Sequence, residues 1–177
     1  MENSFLPPDY DAPSLGGNYA KISIGENRFR ICSKPILGWI GWKDKKPYRF
    51  PYNKKPDTQF EQPLKHFWAF VVWDYSDNGL KILEVSQATV QGGIADLSRS
   101  EDWGAPWEYD IKITKSGSDK NTKYSVQPTP KKKVSDEVIK ATLDKPIWLE
   151  ALYMKDGDPF NENNPNATAI ELNNLPF

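Results

Sequence analysis

The feature that most constrains the fold is the unbroken apolar and aromatic run FWAFVVW at residues 67–73. A run of β-branched and aromatic residues without polar alternation is typical of a strand that is buried on both faces. Asn78 and Gly79 follow, and both residue types accept the positive φ angles of a tight hairpin turn. Residues 80–85 then alternate like a strand with one wet side. The sequence therefore predicts a central antiparallel hairpin.

A helix is predicted directly after this hairpin, over residues 86–97. Val90, Ile94 and Leu97 stack at helical spacing, and Ser86 is a suitable N-cap. A Gly-Gly pair inside the segment lowers its helix propensity. Since residues 67–73 are predicted to be buried on both faces, we expect the helix and the flanking segments to pack against the central hairpin.

Length and composition set the class of protein. A chain of 177 residues with 27% charged residues suits one globular domain with tails. Its longest apolar run is too short to cross a bilayer, and the N-terminus lacks the basic start of a signal peptide, so we expect no membrane partner and a cytoplasmic location. The single cysteine, Cys32, rules out an internal disulfide and fits a reducing compartment.

The net charge of −1 conceals a strong partition along the chain. Residues 1–20 and 156–177 contain acids and no base, so the body between them carries all 23 bases and a net charge of +6. Within the body, residues 21–65 and 112–133 are basic, whereas residues 66–111 are acidic. Two basic edges around an acidic middle indicate a polyanion-binding surface on one side of a domain, although a mixed-charge solvated surface is the plain alternative.

The first strand is predicted to be long and basic on its outer face. Residues 28–34 alternate, which places Arg28, Arg30 and Lys34 with Cys32 on the side opposite the core. A second extended piece after Pro35 contains Trp39 and Trp42, with Gly38 and Gly41 at positions where a bulge or a close approach is expected. A long, sharply coiled first strand of this kind suits a small closed barrel.

Residues 43–55 interleave basic and aromatic side chains and are broken by prolines. No core tolerates lysines at this density, so we expect an exposed loop. Its rings alternate and could share one face, where bases of single-stranded nucleic acid would stack while cations track the phosphates; alternatively the rings fold back onto the barrel. The candidate binding residues of this segment are Lys43, Lys45, Lys46, Tyr48, Arg49, Phe50, Tyr52, Lys54 and Lys55, joined by Trp39 and Trp42.

The second half predicts a further hairpin and a short helix. Residues 109–115 and 123–128 alternate as paired strands, with Lys112 facing the basic surface. Ser135 is expected to cap a helix over residues 135–143. We divide the chain into a flexible N-terminal arm at 1–18, a folded domain at 19–155 and a disordered acidic tail at 156–177. The predicted fold is mainly β: a five-stranded antiparallel OB-fold barrel with one helix after the central hairpin and a short C-terminal helical region.

Several of these motifs resemble the single-stranded-DNA-binding proteins of tailed bacteriophages. The resemblance covers roughly residues 10–155 and rests on these segments: RFRI at 28–31, PILGW at 35–39, FWAFVVW at 67–73, ILE at 82–84, WG at 103–104 and YDI at 109–111. It implies an OB-fold that coats single strands during replication, recombination and repair, in the host cytoplasm. The best-known phage member has a zinc site, but Cys32 and His66 are too few to form one here, so no cofactor is expected.

The C-terminus is similar to the acidic tip of bacterial single-strand-binding proteins. The chain ends Leu175-Pro176-Phe177 after the acidic Glu171, and Phe177 offers a ring and the terminal carboxylate together. A basic pocket on a replication or recombination partner could grip such a group. This C-terminus has fewer acidic residues than the tip of that family, and asparagines occupy part of their place. The alternative interpretation is that the terminal sequence has no binding role.

The sequence contains no phosphate-cradling glycine loop and no cluster of histidine, cysteine and acids. We therefore predict a single-stranded-DNA-binding protein without enzymatic activity, whose oligomeric state the sequence leaves open. An RNA-binding OB-fold protein and a protein-interaction module remain alternatives. A metal-dependent nuclease is the weakest one, because its candidate carboxylates have no spacing that forces them together: Asp74, Glu84, Asp102 and Asp110.

Overall fold

The computed structural model describes residues 17–57, 60, 62–161 and 175–177. These residues form seven strands and two α-helices, with short 3-10 turns between them. In chain order the elements are β1 (Gly25–Ile31), β2 (Ile36–Lys43), β3 (Lys46–Pro51), β4 (Lys65–Asp74), β5 (Gly79–Val85), α1 (Ala88–Arg99), β6 (Asp110–Ser116), β7 (Lys123–Pro128) and α2 (Asp136–Asp144). No helix in the described part of the chain is long and apolar enough to span a membrane.

The strands form one antiparallel sheet with the order β3-β2-β4-β1-β6-β7, and β5 pairs with β4. Within the described residues no pairing joins β5 to β7, so the sheet is open. The mainly β prediction is confirmed, but the closed five-stranded barrel is not. Two strands are additional, because the first strand is interrupted after Ile31 and because the expected basic loop contains β3, which pairs with β2.

The central hairpin of β4 and β5 is organised as predicted. Asn78 adopts a left-handed φ of 53° in the turn, and β4 is buried on both faces. Phe70 and Val72 point into a core with α1, which we call the helix-side core. Phe67 and Val71 point the other way, into a core that contains residues of α2 and of the 3-10 turn Leu149–Tyr153; we call this the C-terminal-side core.

Helix α1 lies close against β7. A Cβ on Gly93 would come within 2.9 Å of Cβ of Val126, so this glycine allows the helix to approach β7 closely. The sequence alone indicates only its low helix propensity. The predicted cap was wrong: Gln87 occupies the N-cap position without a side-chain hydrogen bond, and Ser86 precedes it. The cap of α2 is as predicted, since Ser135 Oγ accepts a hydrogen bond from the Val138 amide at 3.4 Å.

The break between β1 and β2 is held by the central strand. Ser33 Oγ accepts a hydrogen bond from the Val71 amide at 2.8 Å, and the Cys32 amide donates to the Val71 carbonyl at 2.8 Å. A side-chain hydroxyl thereby replaces a backbone partner where the strand bends ahead of Pro35. The sharply bent first strand predicted from the sequence is therefore two strands that pair with opposite ends of β4.

The residues at both ends of the predicted domain pack against it. The Ala20 amide donates to the Ile82 carbonyl at 2.8 Å, which attaches the first described residues to β5. Beyond Lys155, the Trp148 amide donates to the Pro159 carbonyl at 2.9 Å, and the Phe160 ring meets Tyr19 edge-on. Residues 156–161 of the predicted tail thus pack on the domain, while most of the predicted arm and tail, residues 1–16 and 162–174, lies outside the described residues.

Candidate nucleic-acid interface

A two-residue turn places the basic and aromatic segment beside β2. Asp44 and Lys45 have φ angles of 53° and 63°, the left-handed geometry of a tight hairpin turn, and Lys43 pairs with Lys46 across it. The register sets Trp39 opposite Phe50. Because opposed residues project from the same face of a sheet, aromatic side chains of β2 and β3 converge.

The convergence produces a surface that we call the aromatic face. The Tyr48 and Phe50 rings both contact Phe60, with centroids 6.2 and 5.8 Å apart. The β4 end of the surface continues through His66, directly opposite Trp39 in the register. The members of the aromatic face are Trp39, Tyr48, Phe50, Tyr52, Phe60, His66 and Trp68.

Trp39 lies at the centre of this face. Its ring stacks on Tyr52 with centroids 5.8 Å apart and planes inclined by 13°, and His66 lies 5.3 Å away. The indole Nε1 donates to the Tyr52 carbonyl at 3.0 Å, which fixes the orientation of the ring. Lys55 Nζ stands 4.1 Å from the ring centroid in a cation–π contact. Tyr52 remains 57% exposed, so a flat, oriented and accessible aromatic platform results.

Gly41 makes room for the rings. A Cβ at this position would come within 2.8 Å of the Phe60 ring. At Gly38 a Cβ would collide with the Phe50 carbonyl oxygen of the neighbouring strand. The predicted approach of another backbone is confirmed at Gly38, whereas Gly41 leaves room for side chains. The glycine at position 38 lets β3 pair closely with β2.

Exposed lysines surround the aromatic face. None of them has a carboxylate partner among the described residues, in contrast to most of the basic residues on β1, β5 and β6. Their charge is therefore not neutralised locally and is available to an anion. These lysines are Lys43, Lys45, Lys46, Lys54, Lys55 and Lys65.

The predicted outer basic face of β1 is wrong at Arg30 and Cys32. Arg30 is only 2% exposed, and its guanidinium donates to the carbonyls of Trp107 and Lys132 and to Asp110 Oδ1. Both residues are buried because distant segments of the chain cross over this end of β1. Arg30 is therefore a structural residue and does not belong to an exposed interface.

Asp110 is the acceptor of the cluster around Arg30. Its Oδ2 accepts from Arg28 Nη2 at 2.7 Å, and its Oδ1 accepts from the Tyr75 hydroxyl at 2.9 Å. Burial, together with this hydrogen bond to Asp110, raises the pKa of Tyr75 to about 12. We call Arg28, Arg30, Tyr75 and Asp110 the Asp110 cluster. Arg28 is partly exposed, but its charge is already neutralised by Asp110.

The other predicted residues are scattered. Arg49 lies on the opposite face of β3 from the aromatic rings, where its Nε donates to Glu84 Oε2 at 2.7 Å. Trp42 is 50% exposed, but its position in β2 also points away from Trp39. Lys112 is half-buried on β6, 3.7 Å from Glu26. Lys34 is exposed at the corner between β1 and β2.

Sequence reasoning missed three members of the aromatic face, namely Phe60, His66 and Trp68. A signal existed for two of them, because Leu64, His66 and Trp68 alternate into the start of β4 and continue the aromatic side of the sheet. The strength of the apolar run that follows concealed this alternation. In the structure Trp68 is half-buried, and its Nε1 contacts His66 Nε2 at 3.2 Å.

The C-terminal tip lies against the domain, beside residues that do not belong to the aromatic face. Pro176 and Phe177 line a pocket together with Lys131, Lys132 and Lys133, and the Phe177 ring packs on the C-terminal-side core. Leu175 is described and half-buried, whereas the predicted partner-binding Glu171 lies outside the described residues.

Three carboxylates of the nuclease alternative form ion pairs with different cations. Asp74 Oδ2 accepts from Lys81 Nζ at 3.1 Å, whereas Glu84 and Asp110 pair with arginines elsewhere. The fourth, Asp102, lies in the turn after α1. In the part of the chain that the structure covers, no three acids, histidines or cysteines are grouped so as to hold a metal ion.

Comparison with known proteins gives one informative similarity. The chain is 41% identical over 66 residues to a protein of Escherichia phage T5 described as a probable ssDNA-binding protein. The matched segment is 37% of this chain and spans a quarter of the length of the phage protein. No protein-family model and no solved structure matches the chain. The chain is thus similar in part to a phage protein of that description.

Proposed function

We propose that the protein binds single-stranded DNA through the aromatic face. The observation that carries the proposal is the Trp39–Tyr52 stack, an exposed and oriented platform with Lys55 beside it. Aromatic platforms accept any base because every base has a π face, and unpaired lysines at the rim follow the phosphates. The partial similarity to the T5 protein supports the same function.

The arrangement of strands supports an OB-fold as the framework. In such a fold the long first strand pairs with both the second and the fourth strand, hairpins join the second to the third and the fourth to the fifth, and closure pairs the third strand with the fifth. Here β1 and β2 form the bent first strand, which pairs with β4 and β6; the hairpins are β4–β5 and β6–β7. Helix α1, which follows the β4–β5 hairpin, packs on β7. We therefore propose a partly open OB-fold in which β3 is an insertion.

The proposed role is to coat and protect single strands during phage DNA replication, recombination and repair in the host cytoplasm. A protein of this role needs affinity without sequence preference, which stacking and phosphate contacts supply. The chemistry of the aromatic face requires no cofactor and no catalytic group. RNA binding would use the same contacts, and competition between RNA and DNA strands of equal length tests that alternative.

We also propose that the C-terminal tip recruits a protein partner. Phe177 is already seated beside Lys131, Lys132 and Lys133, so a partner would have to offer a better pocket of the same kind: apolar for the ring and basic for the terminal carboxylate. The substitution Phe177→Ala should abolish capture of a phage replication or recombination protein while leaving DNA affinity unchanged. If the variant captured the partner protein as well as the parent chain does, the C-terminal tip would not be the partner-binding site.

The test of DNA binding is a fluorescence titration with oligothymidylate at two salt concentrations. Stacking on Trp39 should quench the emission, and the affinity should fall steeply with salt because phosphate contacts release counterions. The Trp39→Phe variant should lose part of the quenching, whereas Trp42→Phe on the opposite face, the matched control, should retain it in full. Unchanged emission together with salt-insensitive binding would refute the proposal.

A further inference from the structure

A second apolar surface adjoins the aromatic face. A groove of about 520 Å³ lies between α1 and the corner that joins β1 to β2. Phe70 and Ile94 of the helix-side core line it, as do two indole rings, Trp68 from β4 and Trp107 from the turn before β6. Its volume lies within the range of sites that enclose a small planar ligand, and its lining is mostly apolar.

Two cations border this groove. Lys34 comes from the β1–β2 corner and Arg99 from the last turn of α1, and both are exposed. Neither the Lys34 ammonium nor the Arg99 guanidinium has an ion-pair partner among residues 17–57, 60, 62–161 and 175–177. By contrast, Lys131 faces Glu108 at 3.4 Å. Unpaired positive charge beside an apolar groove favours a ligand that is both aromatic and anionic.

The groove is continuous with the aromatic face through a shared side chain. Trp68 lines the groove, and its Nε1 contacts His66 Nε2 at 3.2 Å. The His66 ring in turn lies 5.3 Å from Trp39 and 5.2 Å from Tyr52. In the register Trp39 opposes His66 and Leu37 opposes Trp68, so Trp39 and Trp68 are diagonal neighbours on one face.

We infer that the groove is a nucleobase-binding site, which receives bases of the strand that lies on the aromatic face. This inference rests on the proposed function. A nucleotide combines a planar ring, which fits between apolar walls and stacks on indoles, with a phosphate, which Lys34 and Arg99 would contact. An apolar peptide would fill the groove as well, but it would leave the two cations without a partner. The strand therefore passes from Tyr52 and Trp39 over Trp68 toward Trp107.

Photo-crosslinking of the full chain locates the bases. The probe is an oligothymidylate that carries 5-iododeoxyuridine at successive positions, and the crosslinked residues are mapped by mass spectrometry. We expect crosslinks at Trp107 in addition to those at Trp39 or Tyr52. Crosslinks confined to Trp39 and Tyr52 would overturn the inference and leave the proposed function intact. An oligonucleotide that neither binds nor crosslinks would overturn both.

A charge-reversal pair measures the contribution of the two cations. The double substitution Lys34→Glu and Arg99→Glu should weaken binding of a long oligothymidylate by roughly tenfold or more at low salt and should lower the salt dependence of the affinity. The control is Lys140→Glu with Lys155→Glu, which makes the same change of charge at two exposed positions outside the groove. Equal affinities of the two double variants, with melting temperatures unchanged, would contradict the nucleobase site.

Discussion

The aromatic face and the Asp110 cluster both include residues from basic and aromatic segments of the sequence, but they differ in the structure. Arg28 and Arg30 of the cluster were predicted to bind nucleic acid, as were Trp39, Tyr48, Phe50 and Tyr52 of the aromatic face. In the Asp110 cluster the arginines are neutralised by one buried carboxylate, and Arg30 is closed off from solvent. On the aromatic face the lysines are exposed without acidic partners among the described residues, and the rings are stacked yet accessible. A basic pattern therefore indicates a binding surface only when no acid is folded against it.

The largest expected effect is on the stability of the Asp110 cluster. Asp110→Ala leaves Arg30 buried without a counter-charge, which should lower the free energy of unfolding by about 3–5 kcal/mol. Urea denaturation at neutral pH measures the loss. Glu26→Ala is the control, because Glu26 is exposed and its pair with Lys112 at 3.7 Å should contribute about 0–1 kcal/mol. Similar unfolding midpoints for both variants would show that the cluster is not structural.

The next effect belongs to the aromatic face and concerns binding rather than stability. Reversing the charge of Lys45, Lys46, Lys54 and Lys55 should leave the melting temperature nearly unchanged. If each lysine contacts one phosphate, the slope of log affinity against log salt should become shallower by roughly 3, at about 0.7 per contact on single strands. The matched control reverses four exposed lysines elsewhere: Lys120, Lys123, Lys140 and Lys155. Equal slopes for the two variants would place the phosphate contacts elsewhere.

A smaller effect separates the two sides of β2. Trp39→Ala should reduce DNA affinity by about 1–3 kcal/mol, the usual contribution of one base stacked on a ring. Trp42→Ala removes a ring of the same size from the opposite side of the strand and should change affinity little. Isothermal titration calorimetry with oligothymidylate compares them. A larger loss for the Trp42 variant would reverse the assignment of the binding face.

The smallest effect is a pH dependence to which the Asp110 cluster contributes through Tyr75. Because the pKa of Tyr75 is raised to about 12 from its ordinary value of 10, the unfolded state loses this proton first as the pH rises. The stabilisation is therefore complete below pH 10 and is lost between pH 10 and about 12. Burial also raises the pKa of the Cys32 thiol to about 12 from 9, so part of the alkaline loss has a second source.

The substitution Tyr75→Phe should reduce this alkaline loss of stability without abolishing it. Unfolding free energies measured across the interval test the expectation. An identical pH profile for the variant and the parent chain would mean that the hydroxyl makes no difference to the cluster.

Local pattern predicted the elements that local physics determines. The double burial of β4, the left-handed Asn78, the Ser135 cap and the alternation of Tyr48 and Phe50 all follow from residue type and spacing. The function inferred from that pattern, binding of single strands, agrees with the description of the partly similar T5 protein.

The errors arose where distant segments meet. Arg30 is buried by the carbonyls of Trp107 and Lys132, which are 77 and 102 residues away, and alternation within β1 carries no information about them. The same limitation applies to Arg49, because its partner Glu84 lies 35 residues further along the chain. The expected basic loop became a strand because Gly38 lets it approach β2, a contact that depends on the register between strands.

The most direct test of the central claim is an NMR titration of the indole N–H signals with oligothymidylate. Each of the seven tryptophans gives one such signal, which single Trp→Phe variants can assign. The account predicts a large shift for Trp39, whose Nε1 is held by the Tyr52 carbonyl, a smaller shift for Trp68, and none for Trp42 on the opposite side of β2. A shift of Trp42 with Trp39 unchanged would contradict the assignment of the aromatic face as the DNA-binding surface.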